Sequence, residues 1–410
     1  MGKNKVVQNT AMLYIMNIAK LIFPLLTLPY LTRVLSVDGY AVVTYVKAVM
    51  TYVQLIIDFG FILSATKDIV RAGDNKTEIG YITGDAILGK GLLSLASLAS
   101  LAVMTLQIPI LRQNPVFTFL SFVYVALSIF LVDFLFRGLE KMHIITIRYL
   151  ITRSITTVLT FVMIKNDTDL LMVPVLEIIG NLVAIVWIWS GIRKMGICVR
   201  VRSLRSSWVM LKDSFVYFLS NMASTAFGAL NTLLVGIWCS TADVAFWGLA
   251  MQLVNAIQAL YSPVINGIYP QMIREKSLHL IKKVLQIFMP LITVGCLIIY
   301  FGADLILGLV GGEKYEAVAS LFRWFIPLLF ISFPAMLFGW PVLGAIEKSK
   351  ETTQTTVITA VLQTGGLFTL KAVGGFTLVN LAILRAATEL FMCTLRAGCC
   401  YKYRKMFSKK

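Results

Sequence analysis

Two apolar stretches at the start of the chain carry charge where a lipid-facing helix would not. Residues 8–71 read as two membrane-crossing helices joined by a tight external turn, over about 10–35 and 40–63. Each exceeds the roughly 20 apolar residues that cross a bilayer core. Asn17, Lys20 and Pro24 are spaced i, i+3, i+7 and share one face of the first helix. Thr44, Lys47, Thr51, Gln54 and Asp58 draw one polar stripe down the second. A charge at mid-membrane costs at least ~2.5–3.5 kcal/mol, so it faces protein or a watery cavity.

Such a stripe can be hydrogen-bonding glue between packed helices. The lysines favour a cavity, because neither Lys20 nor Lys47 has an acidic residue three or four positions away. Asp58 lies roughly 16 Å along the axis from Lys47, too far for a direct pair. Uncompensated ammonium groups in a low-dielectric recess suit an anion, and phosphate is the class that fits.

A hydrophobic fraction of 58% and a mean hydropathy of +0.82 place the chain among polytopic membrane proteins. The formal charge of +17 has a topological cause. By segmentation, about 27 Lys and Arg fall in one set of ends and loops and about 5 in the other, the positive-inside pattern with both termini cytoplasmic. No nucleic-acid partner is needed. The six Cys show neither metal spacing nor a disulfide framework. The first apolar segment is too long for a cleaved signal and is expected to stay as a helix.

The expected fold is all-α, with about twelve transmembrane helices in two pseudo-symmetric six-helix bundles around a central cavity. The bundles span 1–192 and 213–410, joined by a basic cytoplasmic linker over 193–212. An amphipathic helix on the inner leaflet is one form for that linker. In the third helix, Asp85 and Lys90 are five residues apart and not a neat local pair, so Lys90 reads either as an ion-pair member or as a third cavity cation. Asp133 and Arg137 form an i, i+4 pair, as do Arg385 and Glu389. Lys141, Arg148 and Arg153 are assigned to a basic inner loop, and the fifth helix reads as a short one over about 151–164, with an earlier start near Ile144 as the alternative. Glu177, with Asn181 one turn on, has no local cation and reads either as a protonated structural group or as an ion-coupling group, as Asp58 also does. Arg323 is expected to snorkel from the tenth helix to water.

Sliding the second half back by 204 residues lays Asn221 on Asn17, Ser240 on Ser36 and Gln258 on Gln54. The stripe Asn255, Gln258, Ser262, Asn266 then echoes that of the second helix. The charges do not copy: Ser224 replaces Lys20 and Met251 replaces Lys47. Two halves of an even number of helices are parallel repeats about an axis along the membrane normal.

The run Pro24…Pro29-Tyr30-Leu31-Thr32-Arg33-Val34-Leu35, then Asp58-Phe59-Gly60-Phe61…Ser64-Ala65-Thr66, resembles the opening of the O-antigen and capsular polysaccharide flippases. Gly138-Leu139-Glu140-Lys141-Met142…Ile145-Thr146, Ile268-Tyr269-Pro270 and Gly311-Gly312-Glu313-Lys314-Tyr315 resemble later signatures of that family. Where the family often has an aromatic-Phe-Gln before the Gly138 position, this chain has Leu135-Phe136-Arg137. The resemblance implies a twelve-helix member of the multidrug/oligosaccharidyl-lipid/polysaccharide exporter superfamily. Such a protein moves undecaprenyl-pyrophosphate-linked repeat units between leaflets of the bacterial inner membrane by alternating access. Lys20 and Lys47 would then bind the pyrophosphate, and Arg33 would either receive it at the outer end or anchor at the interface. Asn17, Gln54, Asn221, Asn255 and Gln258 would hydrogen-bond sugar hydroxyls. The partners expected are the lipid-linked glycan, membrane lipids, and a polysaccharide polymerase and chain-length regulator.

The nearest rival is a drug or cation antiporter of the same superfamily, which needs cavity acids; Asp58, Asp85 and Glu177 are available, but the stripes centre on lysines. The rival from another class is a glycan polymerase or acyltransferase. The external loops are short, and His143 and His279 lie at inner helix ends. No Gly-rich phosphate loop, metal cluster or nucleophile triad is readable. The chain is therefore not expected to be an enzyme or to use a cofactor.

Overall fold

In the computed structural model the described residues are 3–407, without the side chains of 3–7, 10, 216, 220, 223, 224, 226, 227 and 270. The side chains of Ser224 and Pro270, and all of Lys409 and Lys410, therefore lie outside the described residues. Helices account for nearly all of the chain, with no strand among the described residues. α1 (Lys3–Val34) and α2 (Val37–Asp58) form the opening hairpin, and α3 (Phe61–Ala72) continues the second crossing. The third crossing is α4 (Lys76–Gln107), followed by a one-turn α5 (Pro109–Gln113). The fourth is α6 (Pro115–Leu127) with α7 (Asp133–Gly138), and α8 (Met142–Met163) and α9 (Met172–Lys194) are the fifth and sixth. The second half holds α10 (Leu204–Trp238), α11 (Thr241–Ala259) with α12 (Ser262–Glu275), α13 (Leu278–Gly311), α14 (Val318–Arg323) with α15 (Ile326–Leu337), α16 (Ser349–Ala372) and α17 (Leu378–Lys402).

Ten of these stretches are long and apolar enough to cross a membrane. α10 and α16 bring the crossing elements to twelve. α10 contributes a shorter apolar run, Gly228–Trp238. α16 falls short in hydropathy because it presents Thr352, Thr355, Thr359 and Gln363, all buried, on one stripe. Gln363 there donates to Asn231 at 3.0 Å and accepts from Thr388 at 2.6 Å, so its polar atoms are met inside protein. The chain is thus an all-α, multi-pass membrane protein.

Two compact units are distinguishable, Met1–Thr225 and Ala226–Lys410. In the first, α1 lies along α8, tied by Thr146 to the Met12 carbonyl (2.9 Å) and by Tyr30 to the Phe161 and Ile164 carbonyls (2.9 and 2.6 Å). The α1–α2 turn is held by Asp167, which accepts from the Ser36 amide at 2.8 Å. α2 ends because Phe59 (φ 38) and Gly60 (φ 80) are left-handed. A side chain at Gly60 would meet the Ser214 carbonyl at 2.8 Å, which is how closely α10 approaches this break.

The 204-residue repeat is visible as paired local structure in the two units. Ser36 caps α2 and Ser240 caps α11, each accepting from the amide three residues on. Ser128 donates to Gln54 at 3.1 Å, and Gln258 donates to Ser332 at 2.6 Å. Both pairs tie the second crossing of a unit to its fourth, and both obey the same offset. A further echo falls where the fourth and tenth crossings end. Glu140 (φ 57) and Glu347 (φ 63) are left-handed, and the lysine after each donates its amide at 2.8 Å, to Phe136 and Leu343 respectively.

Of the linker 193–212, residues 195–203 are not helical, while 204–212 open α10. Residues 197–203 have no regular secondary structure and lie across the glycine face of α4. The Arg200 amide donates to the Gly80 carbonyl at 3.3 Å. Asp85 accepts from the Arg202 amide at 2.8 Å and from the Ser206 hydroxyl. Glu78 holds the Arg202 guanidinium at 2.6 Å.

Candidate functional site: a cationic recess in the first unit

Lys47 is exposed while its neighbours Val46 and Ala48 are buried, so it projects from the helix into open space. Lys20 is exposed one residue after buried Ala19, with Asn17 exposed one turn before it. Among the described residues no carboxylate lies within 4.0 Å of either ammonium group. The Lys20 nitrogen stands 5.8 Å from the Tyr149 ring centroid. On that ring the Arg153 guanidinium carbon stands at 5.7 Å.

Arg153 is the group that sequence reasoning misses. Its charge pattern groups it with a loop, but α8 begins at Met142, close to the earlier of the two starts the sequence offers, so Arg148 and Arg153 sit inside the fifth crossing. Arg153 pairs with Glu177 of α9 and donates to the Tyr124 hydroxyl at 3.0 Å. Asn181 fixes the Tyr124 backbone by donating to its carbonyl at 2.9 Å. Glu177 therefore has a cation after all, supplied by a neighbouring helix. Arg153 and Glu177 are also the charges that act on Lys47. Those acting on Lys20 are Asp133, Arg137, Arg148 and Arg153.

Asp133 is paired with Arg148, at 2.8 and 3.0 Å to its two oxygens, rather than with Arg137. Lys20 and Arg153 share the Tyr149 ring, and Lys47, Arg137 and Arg148 act electrostatically on one or other of them, so five cations stand against two carboxylates, Asp133 and Glu177. Each carboxylate is committed to an arginine, and the excess charge resides on the two lysines and Arg137. This arrangement can hold a multiply charged anion by point charges and a forked guanidinium.

The remaining stripe residues belong elsewhere. Gln54 donates to Asp58 at 2.8 Å while accepting from Ser128, so both ends of its amide are occupied by protein. Asp58 also accepts from Lys90 at 2.7 Å. Lys90 is therefore an ion-pair member, and its partner is Asp58 of α2, not Asp85. That pair offsets the cost of a carboxylate at the C-terminal, negative end of a helix. Arg33 is exposed in the last turn of α1. Asn221 is half-buried in the part of α10 that belongs to the first unit. In the second unit Asn255 is exposed, Gln258 is engaged by Ser332, and Met251, which stands in the Lys47 position of the repeat, is buried. Arg323 pairs with Asp304 instead of reaching into water alone. Arg385 and Glu389 are both buried in α17.

Comparison with known proteins gives the family and the fold. A family model described as "Polysaccharide biosynthesis protein" matches residues 6–276. Two curated proteins named "Putative O-antigen transporter" are similar along the chain. That of Escherichia coli (strain K12) is 26% identical over 402 residues, 95% of each chain. That of Shigella dysenteriae is 28% identical over 270 residues, 65% of this chain and 67% of its own. Among solved structures, an inward-facing multidrug resistance MATE family transporter of the MOP superfamily superposes with a TM-score of 0.67 at 11% identity, covering 93% of this chain and 94% of its own. The lipid II flippase MurJ, in an inward closed conformation, also gives 0.67 at 13% identity, covering 97% and 87%. At these identities the structures establish a shared fold, and the family match establishes membership. The chain belongs to the polysaccharide biosynthesis protein family of multi-pass membrane proteins.

Proposed function

We propose that the protein is a flippase that moves undecaprenyl-pyrophosphate-linked oligosaccharide repeat units, of O-antigen or a similar surface polysaccharide, from the inner to the outer leaflet of the bacterial inner membrane. The observation that carries this reading is the pair Lys20 and Lys47, exposed and, among the described residues, without a carboxylate partner, with three further cations acting on one or other of them. The names of the two curated relatives and of the lipid II flippase support the same class of cargo.

The physical problem is one of polarity. A glycan and a diphosphate cannot enter hydrocarbon, whereas a polyprenyl tail can remain there. In this reading the lysines and Arg153 receive the diphosphate, and Asn17, Asn221 and Asn255 offer hydrogen bonds to sugar. Gln54 and Gln258 join them only if their serine bonds open. Arg33 receives the headgroup as the cavity turns outward, the termini are cytoplasmic, and access alternates between the two sides. Asp58 and Glu177 couple an ion by exchanging it against Lys90 and Arg153. The polymerase and chain-length regulator act on the delivered unit, and no chemical step falls to this chain.

The antiporter reading needs a carboxylate free to meet a cationic drug. Asp58, Asp133 and Glu177 are each already held by a cation, which disfavours it. Deleting the gene tests the proposal. Lipid-linked repeat units should accumulate on the inner leaflet and be cleared when the wild-type chain is restored. Altered drug tolerance without such accumulation would overturn the proposal in favour of an antiporter.

A further inference from the structure

Glu177 lies among three cations, paired to Arg153 and within Coulombic reach of Lys47, while Arg153 and Lys20 share the Tyr149 ring. From this array we infer that Glu177 is a displaceable stand-in for phosphate, and that Arg153 is the guanidinium that reads the diphosphate once Glu177 has left it. The inference rests on the proposed cargo and deepens it by assigning the group that distinguishes two phosphates from one.

The pair is open to the recess. The side chains of Arg153 and Glu177 are 29% and 30% exposed, against 7% for Arg148 in the neighbouring pair. An anion can therefore reach Arg153 without unpacking the bundle, which it cannot do for Arg148. Arg153 is also held from a second side. One nitrogen meets Glu177 and another meets the Tyr124 hydroxyl, with Tyr124 itself fixed by Asn181. When Glu177 swings away, the guanidinium stays aimed, because its tyrosine contact does not depend on the carboxylate. A fixed fork flanked by two flexible ammonium groups matches a diphosphate: the fork takes two oxygens side by side, and the lysines neutralise the rest.

Displacement has a direct consequence for turnover. Glu177 competes with cargo for Arg153, so it weakens binding and also expels the headgroup when the site must empty. A merely structural pair would do neither. The two roles give opposite signs on removing the carboxylate: neutralising Glu177 tightens binding and slows release if it competes, and loosens the site if it only supports Arg153.

The experiment uses the purified full-length chain in lipid nanodiscs, with undecaprenyl pyrophosphate and undecaprenyl phosphate as the probes. The wild type should bind the pyrophosphate more tightly than the monophosphate. Glu177→Gln should bind the pyrophosphate ~10-fold or more tightly, since a like charge beside the anion is gone, and should flip it more slowly in reconstituted vesicles. Arg153→Ala should lose the preference for two phosphates. Arg153→Met/Glu177→Met removes both charges together, which a fold tolerates far better than removing one, and it should also bind both lipids alike. Equal or weaker pyrophosphate binding by Glu177→Gln, or wild-type preference in the double methionine variant, would overturn the inference. Failure of the wild type to bind undecaprenyl pyrophosphate at all would instead remove the proposed cargo. Wild-type binding that needs Lys20 and Lys47 but ignores both Glu177→Gln and the double variant removes the displacement role of Arg153 and Glu177 and leaves the cargo standing.

Discussion

Gly84 is where the linker is fixed to the first unit, and enlarging it should set the linker free. A Cβ placed there would stand 2.2 Å from the Arg200 carbonyl oxygen, and one at Gly80 would stand 2.1 Å from that of Cys198. Ordinary contact begins at 3.4 Å, so a side chain must move backbone by more than an ångström. α4 is packed along its length while the linker is anchored in the core chiefly by Ile197, so the more exposed stretch after Ile197 is what moves. Its attachments are the Arg200 amide on Gly80, the Arg202 amide and Ser206 hydroxyl on Asp85, and the Arg202–Glu78 pair. At about 1 kcal/mol net each, with the exposed ion pair adding little, they hold the segment by about 3 kcal/mol. That corresponds to on the order of 100-fold in the population of the open form.

The assay is limited trypsin digestion in detergent, because Arg200 and Arg202 lie in the segment. When opening is fast relative to cleavage, the cleavage rate follows the open population. Gly84→Leu should raise cleavage there on the order of 100-fold, with the melting of the rest of the molecule little changed. Gly91→Leu on the same helix is the control, since nothing lies within 4 Å of a Cβ at that position. Cleavage of Gly84→Leu at the wild-type rate would refute the reasoning. So would an equal rise in Gly91→Leu.

Other substitutions follow from the same geometry. Asp58→Asn leaves Lys90, 9% exposed, without its anion and should cost about 3 kcal/mol, the low end for a buried pair because Asp58 itself is 42% exposed; thermal melting should show most of this recovered in Asp58→Asn/Lys90→Met. Asp167→Ala should cost about 1 kcal/mol by loss of its bond to the Ser36 amide. Gly39→Ala displaces that same carboxylate, from which its Cβ would be 2.4 Å, so the two changes combined should cost little more than either alone in denaturation midpoints. Lys47→Arg should retain partial surface-glycan display, because the charge is kept while its shape changes.

Ten of the crossings are legible in the sequence because hydropathy is a local property that length alone turns into a span, and α10 and α16 follow from the even count the repeat requires. The ion pairs are not. Counting three or four positions along one helix cannot find Arg153 for Glu177, Lys90 for Asp58 or Arg148 for Asp133, since each pair joins different helices. The misplacement of Arg153 has a further cause. Two arginines in an otherwise moderate stretch look like a loop, yet the span absorbs them because α9 and the α6–α7 region supply carboxylates and a tyrosine hydroxyl. The linker's own charge suggests a surface helix, and 204–212 are helical, whereas residues 197–203 are held without helix against the glycine face of α4. The repeat shows in Gln54 and Gln258; the same offset also lays Ser332 on Ser128, and extending the alignment that far finds the partner of each glutamine.

What most directly tests the account is transfer of a fluorescent undecaprenyl-pyrophosphate oligosaccharide between leaflets of vesicles holding the purified chain. Wild type should move it, and Lys20→Ala/Lys47→Ala, folded and correctly inserted, should move it no faster than empty vesicles. Transfer by the double alanine variant at the wild-type rate would contradict the claim that these two lysines exist to meet an anion.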